Sequence, residues 1–317
     1  MNLIDRNLAE PELRASPPVL VDVGAAGGVH RAWRRIARQA IGVGFEPDAR
    51  EAAPLGAAQR MFARWIFCRG LAVPVATPAG ARLLHLTRSP QCSSTLRPGA
   101  AALTEWAFAE LFEVTETRAL PAMTLEAALV AGKIDRVDWL KCDTQGLDLK
   151  LYLSVPETWR ARMLAVEFEP GLIDAYEGED KLADVLAAMG REPFWLADLD
   201  VGRTPRGRPV LLAERLGAGA ARWVRRLGPG APGWANARFL RDVAKRPEAL
   251  DRRGYLLAWV FATITGQHGY ALTVATEGGR RCGDGLFAEM AAASVRSLRW
   301  AMARGFPAMV WRRLKRW

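Results

Sequence analysis

The sequence predicts an α/β protein built on a largely parallel sheet. Three observations carry this: short apolar runs that each end in polar residues, helical patterns that fall between them, and a length of 317 residues, half of them apolar. That length suits one full domain plus an appendage. Strands alternating with helices call for a parallel sheet covered on both faces. In such a sheet the ligand lies beyond the carboxyl ends of the strands.

The first run, PVLVDVG, clusters Val and Leu before Gly24 and reads as a strand. VHRAWRRIARQ then sets Val29, Trp33 and Ile36 at helical spacing, and a second strand, AIGVGFEPD, follows. GLAVPVAT, RVDWLKCDT and RMLAVEFEP repeat the pattern of an apolar run closed by polar residues, with MTLEAALVAG and DKLADVLAAMG as helices. VGRTPRGRPVLLAERLGAGAARWVRRLGPGAPG, residues 201–233, reads as an insertion before a last strand, NARFLRD. Beyond it, RRGYLLAWVFATITGQHGYALTVA predicts a buried helix followed by a turn at Gly266 to Gly269, and DGLFAEMAAASVRSLRWAMARG a second helix broken near Gly305 and Pro307.

Composition excludes several classes. The longest apolar stretch, Leu256 to Thr265, falls short of the roughly 18 residues of a membrane span. The opening MNLIDRNLAEPELRASPP lacks the apolar core of a secretory signal, which places the protein in the cytoplasm. Cys68, Cys92, Cys142 and Cys282 are scattered without a C-x-x-C pair, as reduced and mostly packed thiols would be, and no His, Cys or acid cluster has metal spacing. His85, alternating with Leu83, reads as a partly buried strand residue.

The turn after the first strand defines the ligand question. A dinucleotide fold wants G-x-G-x-x-G, but from Gly24 this chain has Ala26 and Val29 at the other two positions. What remains is Asp22, Gly24, Gly27 and Gly28, a tight turn with an acid that suits an amino group better than a pyrophosphate. Glu46 lies 22 positions after Gly24, close to the interval of about 20 at which an acid meets a ribose. A carboxylate there accepts from two vicinal hydroxyls at once.

VDVGAAGG, GFEPD, SPQCSSTL, MTLEAAL, VDWLKCDTQGLDL and AVEFEP, in this order, resemble the FkbM-type S-adenosylmethionine-dependent methyltransferases from about Val19 to about Asp242. The resemblance implies a class I methyltransferase (Rossmann-like) fold: a seven-stranded, mostly parallel sheet with one antiparallel strand and helices on both faces. It implies S-adenosylmethionine as cofactor, S-adenosylhomocysteine as product, and methyl transfer to a hydroxyl oxygen of a glycan or small secondary metabolite. By the same resemblance Asp22, Gly24, Ala25, Gly27, Phe45, Glu46 and Asp143 are cofactor residues, and Ser93 and Ser94 match a serine pair near the site. Two departures stand out: Asp148 replaces the usual glutamate, and Ala26 the usual asparagine.

Transfer to oxygen needs alignment and removal of the hydroxyl proton. Asp143 is the first candidate base, Glu169 the second and His30 the third; Lys141, two residues before Asp143 on one strand face, is placed to pair with it. The domains read as residues 1–242, the methyltransferase domain with its insertion at about 200–233, and residues 243–317, a basic helical module. The net charge of +10 is uneven, with seven basic residues and no acid from Ser294 to Trp317. AMVWRRLKRW groups Val310, Leu314 and Trp317 on one helical face among Arg312, Arg313, Lys315 and Arg316, a pattern that suits either packing on the protein or peripheral contact with anionic lipid at the inner membrane face. Two other classes stay open: a nucleic-acid methyltransferase or RNA-binding protein, which the absence of an N/D-P-P-Y/F segment disfavours, and a non-catalytic scaffold that keeps the fold.

Overall fold

The computed structural model describes residues 2–314 apart from 27, 49, 51–54, 78 and 79, and the side chains of these except 55, 57 and 305–314. Two compact units result, Val19–Leu240 and a second formed by Met1–Pro18 with Arg241–Trp317.

Among the described residues the first unit carries ten strands: β1 Val19–Val23, β2 Ile41–Phe45, β3 Arg64–Cys68, β4 Leu71–Val73, β5 Ala81–Thr87, β6 Val114–Thr124, β7 Trp139–Cys142, β8 Ala165–Phe168, β9 Phe194–Thr204 and β10 Ala231–Arg241. Seven form a sheet in the order β3-β2-β1-β7-β8-β10-β9. The pairs from β3 to β8 are parallel and β10 runs antiparallel to β8. This is a Rossmann-like arrangement, and every residue of β1 is buried, as a central strand covered on both faces must be. Val21, Val43, Leu140 and Val166 join Leu129 and Tyr152 from the helices Leu125–Ala131 and Asp148–Ser154 in one core.

Three expectations for the sheet unit need correction. The segment after Gly28 forms two 3-10 turns, Trp33–Arg35 and Ala37–Gln39, because Ile36 leaves helical geometry at φ −121° between them. GLAVPVAT contributes β4 to a separate three-stranded sheet, β4-β6-β5, with its own apolar cluster of Leu71, Val73, Leu84 and Leu86; Pro74 follows directly after the strand. The edge of the main sheet is instead β3, fitted by glycine. A Cβ on Gly42 or Gly44 would meet the Trp65 ring at 2.6 Å, so the two glycines of β2 make the bed for that indole. The expected insertion at 201–233 is shorter: residues 201–204 belong to β9 and 231–233 to β10, and the helix Pro209–Leu227 lies between them.

In the second unit, the helix Arg252–Ile264 is buried from Arg253 to Ala262 and is followed by His268–Cys282 and Gly285–Leu314. The last helix does not break at Gly305 or Pro307. A proline removes one main-chain donor, and the turns on either side carry this helix past it. The first eighteen residues group with this unit, not with the sheet, because Arg252 binds Glu10 at 2.7 Å, Glu12 at 2.8 Å and also Asp284, while Leu8 and Leu13 are buried. The tail side chains Val310, Leu314 and Arg312 to Trp317 lie outside the described residues. All four cysteines are free, and Cys142 is buried.

Candidate functional site

Four parallel strands deliver their next residue to one cleft. Gly24 follows β1, Glu46 follows β2, Asp143 follows β7 and Glu169 follows β8, and all four line a cleft of about 370 Å³. Parallel pairing in register brings the four strands to the same edge, where the residue after each meets the opening.

Gly24 has φ +86°, and a Cβ there would stand 2.0 Å from the Asp143 carbonyl oxygen, so β1 and β7 converge at this edge only through glycine. The amides of Gly24 and Ala25 donate to the Phe45 carbonyl at 3.0 and 2.9 Å, tying the turn to the end of β2. Glu46 is 8% exposed and its Oε1 accepts from the Asp48 amide at 2.8 Å. Arg50 then grips Asp48 and reaches the Thr87 carbonyl at 3.0 Å and Ser93 Oγ at 3.1 Å, which fastens the serine loop against the β2 turn. Ser94 Oγ donates to the Gln145 carbonyl at 2.7 Å. Both serines of the pair therefore hold loops in place, and Ser93 also lines the cleft.

Asp143 and Glu169 are joined by Gln145, whose Nε2 donates to Asp143 Oδ1 at 2.8 Å and to Glu169 Oε2 at 3.2 Å. The Tyr176 hydroxyl lies 3.1 Å from Gln145 Oε1 and 2.8 Å from the Cys92 carbonyl, which turns the amide nitrogen toward the acids. Gln145 sits at φ +56°, a left-handed conformation that an unbranched residue adopts at some cost. Beneath the pair, Asp148 Oδ1 accepts from the Thr144 amide and hydroxyl at 2.8 and 2.7 Å, and its Oδ2 accepts from the Glu169 amide at 2.7 Å. The short carboxylate thus staples the β7 loop to the β8 loop. Burial, then the charge of Asp143 and a hydrogen bond with it, pushes Glu169 up to about 9; burial and Asp143 raise Asp148 to about 6 against its hydrogen bonds.

Other sequence-predicted residues fall elsewhere. Lys141 Nζ bonds Asp22 Oδ1 at 2.8 Å and stands 3.8 Å from Asp143, so its closer partner is Asp22, not the neighbour on its own strand. Burial opposes the Lys141 charge, and Asp22 with Asp143 overcomes it and raises the pKa. Asp22 and Ala25 are buried and absent from the lining. His30 is also outside it: the ring packs on Trp33 and Trp139, with Nε2 3.6 Å from Glu167 Oε2. Gly27 lies outside the described residues. Gln145 and Tyr176 carry no spacing signal, since the contact between them spans 31 positions.

The far wall is aromatic. Phe108 stacks on Trp234 with ring centroids 6.1 Å apart and meets Phe112 edge-on at 5.0 Å. The cleft therefore has a carboxylate edge able to take hydroxyl groups and a proton, and a flat apolar wall for a partner molecule. Comparison with known protein families, curated proteins and solved structures finds no match to this chain.

Proposed function

We propose that this protein is an S-adenosylmethionine-dependent methyltransferase acting on a hydroxyl oxygen of a glycan or small metabolite. The observation that carries the reading is the placement of Glu46, Gly24 and Asp143 at the ends of β2, β1 and β7 around one cleft. The residues fit the cofactor: Glu46 is a buried carboxylate that nevertheless faces the cleft, suited to a ribose diol, and the β1 turn runs against the β7 end without side chains between. S-adenosylmethionine, when bound, supplies an electrophilic methyl on a sulfonium that becomes a neutral thioether.

The chain's own residues supply alignment and proton transfer. With Glu169 holding its proton at neutral pH, the acceptor role falls to Asp143, which takes the hydroxyl proton as the oxygen gains the methyl. Gln145 fixes the Asp143 carboxylate through Oδ1. The aromatic wall orients the acceptor and keeps water from the carboxylates.

Calorimetry with S-adenosylhomocysteine tests the reading. Glu46→Ala should weaken binding by about 1.5–3 kcal/mol, ten- to hundredfold, with the fold intact. Asp143→Asn should retain binding and lower turnover by about 10²–10⁴-fold. Wild-type protein that binds NADH more tightly than S-adenosylhomocysteine would overturn the proposal.

A further inference from the structure

The helix Pro209–Leu227 stands apart from the rest of the sheet unit in what it leaves uncovered. Among its nineteen residues Ala221 is the one buried side chain. Gly217 lies at φ +78° and divides it, and in the second half Ala220, Trp223, Val224 and Leu227 fall at i, i+3, i+4 and i+7, all exposed. Trp223 is 58% exposed and Leu227 75%. Val210, Leu211 and Leu216 extend the exposed apolar surface into the first half. Among the described residues nothing covers the apolar stripe of this helix, which buries one alanine fully.

Charge names the partner. Residues 201–233 hold seven arginines and one acid. Four of the seven are engaged within the unit: Arg203 on the Gly230 carbonyl, Arg206 over the Trp106 ring, Arg208 on Glu105 and Arg225 beside Glu110. Arg215, Arg222 and Arg226 are exposed and make no ion pair among the described residues. At about 100° per residue, Arg226 borders the Trp223 stripe on the side away from Ala221, and Arg222 lies about 40° further round on that same side. An apolar stripe with a tryptophan, bordered by free arginines, matches a surface that is apolar within and anionic at its rim.

We infer that the helix Pro209–Leu227 is an amphipathic docking element for an anionic lipid bilayer. Trp223, Val224 and Leu227 enter the interface, and Arg215, Arg222 and Arg226 meet the lipid headgroups. The anchorage of the helix then sets the cleft beside the membrane. Its leading segment binds the loop that carries the aromatic wall: the Ala107 amide donates to the Pro205 carbonyl at 3.0 Å and the Gly207 amide to the Glu105 carbonyl at 2.7 Å, next to Phe108. Trp234, on the strand that the helix leads into, lines the same wall. The inference is independent of the chemistry performed in the cleft.

Sedimentation of the full chain with vesicles of phosphatidylcholine, with and without phosphatidylglycerol, tests it. Wild-type protein should partition to the phosphatidylglycerol vesicles and lose that partitioning in high salt. Arg222→Glu with Arg226→Glu should lower the partition coefficient at least about 25-fold, from about fivefold for each basic charge lost near the surface. Trp223→Ala with Leu227→Ala, at exposed positions that leave the thermal midpoint unchanged, should lower it at least about tenfold. Wild-type protein that ignores both vesicles, or a fall of less than about threefold in both variants, would overturn the inference. So would a self-association of the wild type, seen by light scattering without vesicle binding, that the Trp223 and Leu227 changes abolish: the stripe would then cover a second copy of the chain.

Discussion

Two sets of ionisable groups share the same strands and obey opposite rules. Asp22, Lys141, Glu167 and Arg238 form a row across β1, β7, β8 and β10, one residue per strand in register, with signs that alternate. Each member has an opposite neighbour: Lys141 meets Asp22 at 2.8 Å and Arg238 meets Glu167 at 3.1 Å and Asp198 at 3.4 Å. Two residues further along, Asp143 and Glu169 gather with Asp148, from the start of the helix Asp148–Ser154, in a group of one sign. Alternation lets a buried row stay charged and hold strands together. Burial with a like charge beside them raises Glu169 and Asp148, which is useful to proton transfer and poor for stability at neutral pH.

The largest effect should come from Lys141, a cation that serves both sets. Lys141→Met leaves Asp22 buried beside no ammonium and removes the positive charge 3.8 Å from Asp143. Breaking one partner of a buried pair costs about 3–5 kcal/mol. Urea denaturation should show a loss of that order; a loss under about 1 kcal/mol would mean that the alternating row does not hold the strands, and the comparison would fail.

Part of this contrast is legible in the sequence. β1, β2, β7 and β8 announce themselves as short apolar runs, and the residue that closes each run, Gly24, Glu46, Asp143 or Glu169, is the one that reaches the cleft. The partner of Lys141 was not legible, because Asp22 lies 119 positions away and only the β1–β7 register brings them together. Nor was β3, whose run starts at an arginine and whose place depends on the fit of Trp65 over two glycines. The grouping of the first eighteen residues with the C-terminal unit turns on the ion pairs of Arg252 with Glu10 and Glu12, which no local pattern encodes.

A smaller effect should separate the acid cluster from the row by pH. Glu169 is raised from 4.5 to about 9, so the folded protein keeps a proton that the unfolded chain releases. Stability from this group is complete below pH 4.5 and falls as pH rises toward about 9, with a slope of at most about 1.4 kcal/mol per pH unit. Asp148, raised from 3.8 to about 6, adds the same sign in a lower window. Glu169→Gln mimics the protonated form and should be the more stable protein at pH 8, with the gap closing at pH 5. Parallel stability curves for the two proteins would show that Glu169 is not shifted.

The smallest effect is expected at His30, which belongs to the row and not to the cluster. Its Nε2 faces Glu167, yet burial between Trp33 and Trp139 holds the imidazole below its ordinary value, and Arg238 and Lys141 offset the attraction of the carboxylate. The ring is therefore neutral at pH 7 and makes no full ion pair across its 3.6 Å gap. Nδ1 is buried without a hydrogen-bond partner among the described residues, so a phenylalanine of similar shape gives up little there. His30→Phe should keep stability within about 1 kcal/mol and turnover within about twofold, because neither the lost nitrogen nor the retained ring reaches the cleft. Turnover that collapsed as in Asp143→Asn while the fold survived would carry His30 into the reacting set and erase the boundary between row and cluster.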